Sequence, residues 1–213
     1  MDRGGRLPAL GELDSDAGEF WVENPFLMPH RGDNLSAYER NCLFLNTTSP
    51  DSPPQFLDAS FVSGADLDAD SRQAVAADFD RDGDLDLLVG SVGGGAVRLL
   101  RNNMPQGHRI LVRLIGQTSN RSGIGCRIIV HLDSGRLIRD LFPANGFMGS
   151  GPPEQLIGLG HNDRIQRIEV RWTDGTHQHH DDLQANSTIE ITQGEPAHSV
   201  SPLARNTEGR KTP

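Results

Sequence analysis

Between positions 78 and 86 the chain reads Asp78-Phe79-Asp80-Arg81-Asp82-Gly83-Asp84-Leu85-Asp86. Five carboxylates alternate with other residues over nine positions. Carboxylates held this close repel one another unless a cation sits among them. Hard oxygen donors at short range suit Ca²⁺, which takes roughly six to eight oxygens in flexible geometry. Position then assigns the roles. Asp78, Asp80 and Asp82 offer side-chain oxygens from one side of a turn, and Gly83 lets the chain reverse where a Cβ would clash. Asp84 supplies its backbone carbonyl, and Asp86 closes the shell with its carboxylate. The spacing is not that of an EF-hand, whose loop needs a bidentate Glu at its twelfth position; here Val89 stands there. The competing reading is a solvated acidic turn that binds nothing, and the regular alternation argues against it.

A second grouping is His177-Gln178-His179-His180-Asp181-Asp182. On a strand, His177 and His179 share one face and His180 and Asp182 the other. Two same-face histidines suit Zn²⁺ or Cu²⁺, but a catalytic zinc wants a third protein ligand and an open position. An exposed polar strand end after the Asp174-Gly175 turn is therefore preferred. Ala65-Asp66-Leu67-Asp68-Ala69-Asp70-Ser71 is a weaker acidic alternation without the Gly and the closing Asp, and reads as a polar loop. Gly93-Gly94-Gly95 is followed by neither Lys-Ser/Thr nor a helical pattern, so it is a turn and not a phosphate cradle. Arg31-Gly32-Asp33 is read as a loop turn. No nucleophile elbow, His-Glu-x-x-His or Walker-type loop occurs. A carboxylate pair for glycoside hydrolysis stays open, because its separation is spatial and not sequential. No catalytic residue and no organic cofactor is assigned.

The elements that must position these groups are short strands. Val75-Ala76-Ala77 leads into the acidic loop and Leu85 to Ser91 leads out, which places the loop at a β-turn. With Ala96 to Asn103 they make a β-meander. Leu43-Phe44-Leu45-Asn46 and Gln55-Phe56-Leu57-Asp58 precede it. A breakpoint falls at Met104-Pro105-Gln106-Gly107. Beyond it, His108 to Ile115 places Ile110, Val112 and Leu114 on one face. Cys126 to Leu132 and Arg136 to Phe142 flank an Asp133-Ser134-Gly135 hairpin turn. Leu156 to Gly160, Ile165 to Trp172 and Ser187 to Thr192 complete the set. The expected organisation is an irregular segment over 1–38, a metal-binding repeat region over 39–104, an all-β sandwich or barrel over 107–194, and a disordered tail over 195–213.

The chain has 213 residues and a formal net charge of −9, which argues against the clustered basic face that nucleic acid demands. With 24 Gly, 13 Pro and only 5% aromatic residues, it is turn-rich and lean-cored. No apolar run is long enough for a transmembrane helix, and Met1-Asp2-Arg3-Gly4-Gly5 does not resemble a signal peptide. Cys42 and Cys126 are read as buried reduced thiols.

Several of these stretches together resemble known modules. Leu114-Ile115-Gly116, Ser119-Asn120-Arg121-x-x-Ile124-Gly125, Gly146-Phe147-Met148, Gly158-Leu159-Gly160 and Val170-Arg171-Trp172-x-x-Gly175 resemble an ASPIC/UnbV domain spanning His108 to Gly194. The Asp78–Asp86 loop resembles the FG-GAP/VCBS repeat of integrin-α-like β-propellers. The two modules occur together in proteins similar to cartilage acidic protein and in bacterial surface relatives. The resemblance implies a partial propeller-type blade followed by the ASPIC/UnbV domain. It further implies a non-enzymatic Ca²⁺-binding module for extracellular or cell-surface interaction and adhesion. There is room for one or two blades, so the chain reads as a fragment of a larger propeller protein or as one part of an assembly with a protein or surface-glycan partner.

Two alternatives stay open. One is an accessory or metal-dependent hydrolytic enzyme of a biosynthetic pathway, using His177, His179 and His180 or a carboxylate pair. The other is a carbohydrate-binding module, for which only Trp21 and Trp172 offer large stacking surfaces.

Overall fold

Short β-branched runs punctuated by Gly, Pro, Asn and Asp cannot sustain helices, and strands dominate the result. The structure, a computed structural model, describes residues 40–49, 52–67, 69, 71–91, 96–104, 107–146 and 149–203. The expectations for the N-terminal segment, Arg31-Gly32-Asp33, Trp21, Asp68, Asp70, the triglycine turn, Phe147-Met148 and the end of the tail lie outside these residues. Among the described residues the protein is all-β apart from one helical turn. No helix among them is long and apolar enough to cross a membrane.

Two compact units are distinguished. One draws on residues up to 74 and on 88–100, the other on Val75–Leu87 and on Arg101 onward. In the first, β1 (Phe44–Asn46) pairs antiparallel with β2 (Phe56–Asp58). The turn α1 (Ser60–Ser63) follows and ends at Gly64, whose φ of 73° is left-handed. Phe44, Phe56, Phe61 and Val62 are exposed here, and so is Cys42, contrary to the expected burial. Its neighbour Phe44 is also exposed, so no core forms around it, and its Sγ faces the Arg40 carbonyl at 3.8 Å.

β3 (Ser71–Ala77), β4 (Asp86–Ser91) and β5 (Arg98–Leu100) form a three-stranded sheet in chain order, the expected meander. The loop end of its first hairpin, Val75–Leu87, groups with the C-terminal unit, so the compact units do not divide at residues 104–107.

The second unit continues through β6 (His108–Ile115), β7 (Arg127–Leu132), β8 (Gly135–Asp140), β9 (Ala144–Asn145) and β10 (Gly149–Ser150). It ends with β11 (Glu154–Gly160), β12 (Arg164–Arg171), β13 (His177–Gln184), β14 (Ser187–Thr192) and β15 (His198–Pro202). Two four-stranded sheets result, ordered β11-β6-β14-β15 and β13-β12-β7-β8. β6 and β14 run parallel, and the other pairs of these sheets are antiparallel. Period-two alternation turns Ile110, Val112 and Leu114 of β6 inward, with Ile189 and Ile191 of β14. Ile128 and Val130 of β7 and Ile168 and Val170 of β12 meet them in one core.

Two strand readings need correction. His198–Pro202 lies in the stretch read as a disordered tail, yet it pairs with β14 along five residues. Its polar side chains hide this, because edge pairing is made by backbone groups. Along β13, His180 points inward but Asp182 does not share its face. Asp182 takes a φ of 55°, and the β12–β13 ladder skips the position opposite Gln166. The alternation slips there, Leu183 becomes the inward neighbour of His180, and Asp182 turns out to pair with Arg164.

Candidate metal centre

The loop between β3 and β4 is shaped by its own carboxylates. Asp78 accepts from the Asp82 N–H through Oδ1 (3.1 Å) and from the Gly83 N–H through Oδ2 (3.0 Å). Asp80 Oδ1 also accepts from the Asp82 N–H (3.2 Å), and Asp82 Oδ1 from the Asp84 N–H (3.0 Å). Such short-range side-chain-to-backbone bonds are what Asp offers a turn in place of a ladder. They bend the chain through two left-handed residues, Arg81 (φ 60°) and Gly83 (φ 90°). Asp86, at 1% exposure, is held more deeply: Oδ2 accepts from the Phe79 N–H (3.1 Å) and Oδ1 from the Asn102 N–H (2.8 Å).

This folding brings three of the five expected ligands together. Oxygens of Asp78, Asp80 and Asp86 all lie within 4.8 Å of one another, the one such grouping of His, Cys, Asp or Glu among the described residues. Two oxygens on opposite sides of one Ca²⁺, each at about 2.4 Å, would be about 4.8 Å apart, so the trio fits one ion's shell. Its electrostatics agree with that fit. Burial raises the proton affinity of Asp78, the Asp82 carboxylate raises it further, and the N–H groups of Gly83, Asp82 and Arg81 oppose both. A carboxylate so placed gains from a cation.

The other two aspartates are outside the trio. Asp82 spends Oδ1 on the turn, and its backbone carbonyl accepts from Arg109 Nη2 on β6 (3.0 Å). The Asp84 carboxylate, 6% exposed, stands 3.2 Å from the same Nη2. That contact is a charge pairing without hydrogen-bond geometry at Asp84 Oδ1. Arg101 adds a second cation, paired with Asp80. Sequence reasoning missed both arginines. Nothing local marks them, because Arg109 lies 27 residues beyond Asp82. A groove of about 260 Å³, lined in part by Ala77, Asp78, Leu85, Leu111, Phe142 and Leu156, runs beside the trio.

The histidine segment is split. His177 and His179 are exposed on the outer face of β13, where His177 Nδ1 lies 3.8 Å from Glu169 Oε1. His180 is buried on the inner face and meets His198 of β15. Trp172 is 3% exposed, with its indole N–H on Gln178, so it presents no stacking surface to a sugar.

No curated protein sequence matches the chain. Residues 116–198, which include β7 through β14 of the second unit and leave the acidic loop outside, match the family model described as ASPIC and UnbV.

Proposed function

We propose that this chain is a non-enzymatic, Ca²⁺-stabilised β module that mediates protein or surface interaction outside the cell. The observation that carries the reading is the convergence of Asp78, Asp80 and Asp86 at the end of a strand hairpin. The bound cation would neutralise the trio and hold the hairpin loop, while Asp82 shapes the turn and Asp84 answers Arg109. The FG-GAP/VCBS-like spacing of the loop supports a propeller-type origin, and the two sheets with a common core suit a sandwich. ASPIC/UnbV domains occur in surface-type proteins, which supports the external setting. Extracellular modules bind Ca²⁺ at about 10⁻⁴–10⁻³ M, so the ion acts as a permanent structural part and not as a signal. The groove beside Asp78, lined by both apolar and polar side chains, would offer a partner a surface next to the trio.

Thermal melts with Ca²⁺ and with chelator test this. At 10–100 times the dissociation constant, a bound ion stabilises by about 1.4–2.7 kcal/mol, which is a midpoint shift of roughly 3–10 °C for a chain of this size. Asp80→Asn should remove most of the shift, and Asp82→Asn should retain a larger part of it. An identical midpoint with Ca²⁺ and chelator refutes the proposal.

A further inference from the structure

Away from the acidic loop, Gln178, His180 and His198 form a hydrogen-bond chain between the two four-stranded sheets. Gln178 anchors it. Its Oε1 accepts from the Trp172 indole N–H (3.2 Å) and the Gly194 N–H (3.1 Å), groups that can only donate. The amide orientation is thereby assigned from its partners. Its NH₂ donates to the carbonyls of Thr192 (3.0 Å) and Glu195 (2.6 Å) and faces His180 Nε2 at 3.0 Å. The NH₂ shares two hydrogens among these three sites and offers no lone pair, so an N–H on His180 Nε2 would face other hydrogens; Nε2 is therefore the unprotonated nitrogen and the proton sits on Nδ1. That Nδ1 lies 3.0 Å from His198 Nδ1. His198 must accept there and carry its own proton on Nε2. The rings meet edge to face, with centroids 4.7 Å apart.

This arrangement is satisfied only when both imidazoles are neutral. A proton added at His180 Nε2 meets the Gln178 NH₂, and one added at His198 Nδ1 meets the N–H of His180. Other groups offer little relief. His179 and Asp181 flank His180 on its own strand and are exposed, with Asp181 engaged by Arg167. The residue opposite on β12 is Ile168. Thr192 and Glu195 present carbonyls that Gln178 already occupies. Burial lowers the proton affinity of His180, with His198 and His179 next as causes and Asp181 opposing them.

We infer that the His180–His198 contact is an acid-released latch: it fastens the edge strand β15 across to the opposite sheet near neutral pH and lets go when the pair takes up a proton. His180 binds its proton less tightly folded than unfolded. The latch therefore contributes fully above the ordinary histidine value of about 6.5 and weakens as pH falls through it and below. Among the described residues β15 pairs in its sheet with β14, and the Leu203 N–H just beyond it donates to the Asn186 carbonyl. Its release bares the backbone edge of Ser187–Ile191, a template for another strand.

The test is NMR on the full chain. Long-range imidazole ¹H–¹⁵N spectra at pH 7.5 should show the Nδ1–H tautomer for His180 and Nε2–H for His198. Between pH 7.5 and 5, β15 amides should lose exchange protection by roughly ten-fold or more, corrected for intrinsic exchange, while β7 and β12 keep theirs. The double variant His180→Leu/His198→Leu should abolish the pH dependence of β15. Opposite tautomers, β15 protection that survives protonation of the pair, or an unchanged pH response in the double variant would each overturn the inference. Should that variant fail to fold, the wild-type tautomers and titration still decide.

Discussion

Replacing Gly83 with Ala probes the junction between the acidic loop and β6. Gly83 sits at φ 90°, where an L side chain is strained by about 1–2 kcal/mol. Its Cβ would also stand 2.7 Å from Arg109 Nη2, 2.9 Å from Nε and 3.0 Å from Leu203 Cδ2. The guanidinium must then leave the Asp82 carbonyl and move off the Asp84 carboxylate, both of which it reaches from a nearly buried position. A hydrogen bond from a charged donor contributes about 1.5–3 kcal/mol. The two effects together predict a loss of about 3–5 kcal/mol, measured as a shift of the urea midpoint at constant slope. Gly158→Ala is the control: no atom lies within 4 Å of its Cβ position, and the substitution should be nearly neutral. The mechanism is isolated by repeating Gly83→Ala in an Arg109→Met/Asp84→Asn background, where only the strain of about 1–2 kcal/mol should remain. Gly83→Ala within about 0.5 kcal/mol of wild type would refute the argument, because surface changes without such features fall in that range. The same loss in both backgrounds would refute it too.

Two further expectations concern the C-terminal unit and the thiols. The Thr118 hydroxyl, followed by Thr176, holds the Asp174 carboxyl down at about 2, against an ordinary 3.8. The unfolded chain takes up this proton first, so the stabilisation is complete above about 3.8 and is lost as pH falls through about 2. The stability lead of wild type over Asp174→Asn in urea unfolding at pH 6 should therefore close by pH 2, and a lead that stays constant would contradict the assignment. Cys42 is exposed, whereas Cys126 is buried with its thiol pushed up by burial. Alkylation at pH 8 should add one group to the native protein and two in denaturant, by mass; two native adducts would contradict the burial of Cys126.

What could be read from the residues was whatever a period of two dictates. Ile110, Val112 and Leu114 alternate with polar residues, and the strand and its inward face follow. Asp133-Ser134 and Thr173-Asp174-Gly175 carry turn chemistry, and both join strands as expected. The inward set of β13 was not legible because its buried members include His180 and its alternation breaks at Asp182. β15 was hidden for a related reason: Val200 is its only large apolar residue and is itself exposed. In the acidic loop the place between strands was legible, but the ligand directions were not. Period two holds only for extended backbone, and Arg81 and Gly83 are left-handed. Beyond Arg81, the Asp82 and Asp84 carboxylates fall outside the trio that Asp78 and Asp80 form with Asp86.

The partners of that trio carry a consequence for how the loop works. Asp86 is fixed by the Asn102 N–H, Asp80 by Arg101, and the Asp82–Asp84 bend by Arg109. All three come from the chain after residue 100, and contacts place Val75–Leu87 with that part of the molecule. The acidic stretch thus shapes its own turn but does not fix the place of its oxygens alone. Left alone, five carboxylates would spread to relieve their repulsion, and any cation would have to supply the ordering free energy as well as the coordination. Here backbone donors and two arginines already hold the oxygens in place. Those arginines also oppose a cation by their charge, which favours modest affinity. On the proposed Ca²⁺ reading, a partly neutralised cradle of this kind would suit an ion that is always present at high concentration, because it would need little reorganisation and would give up tight binding.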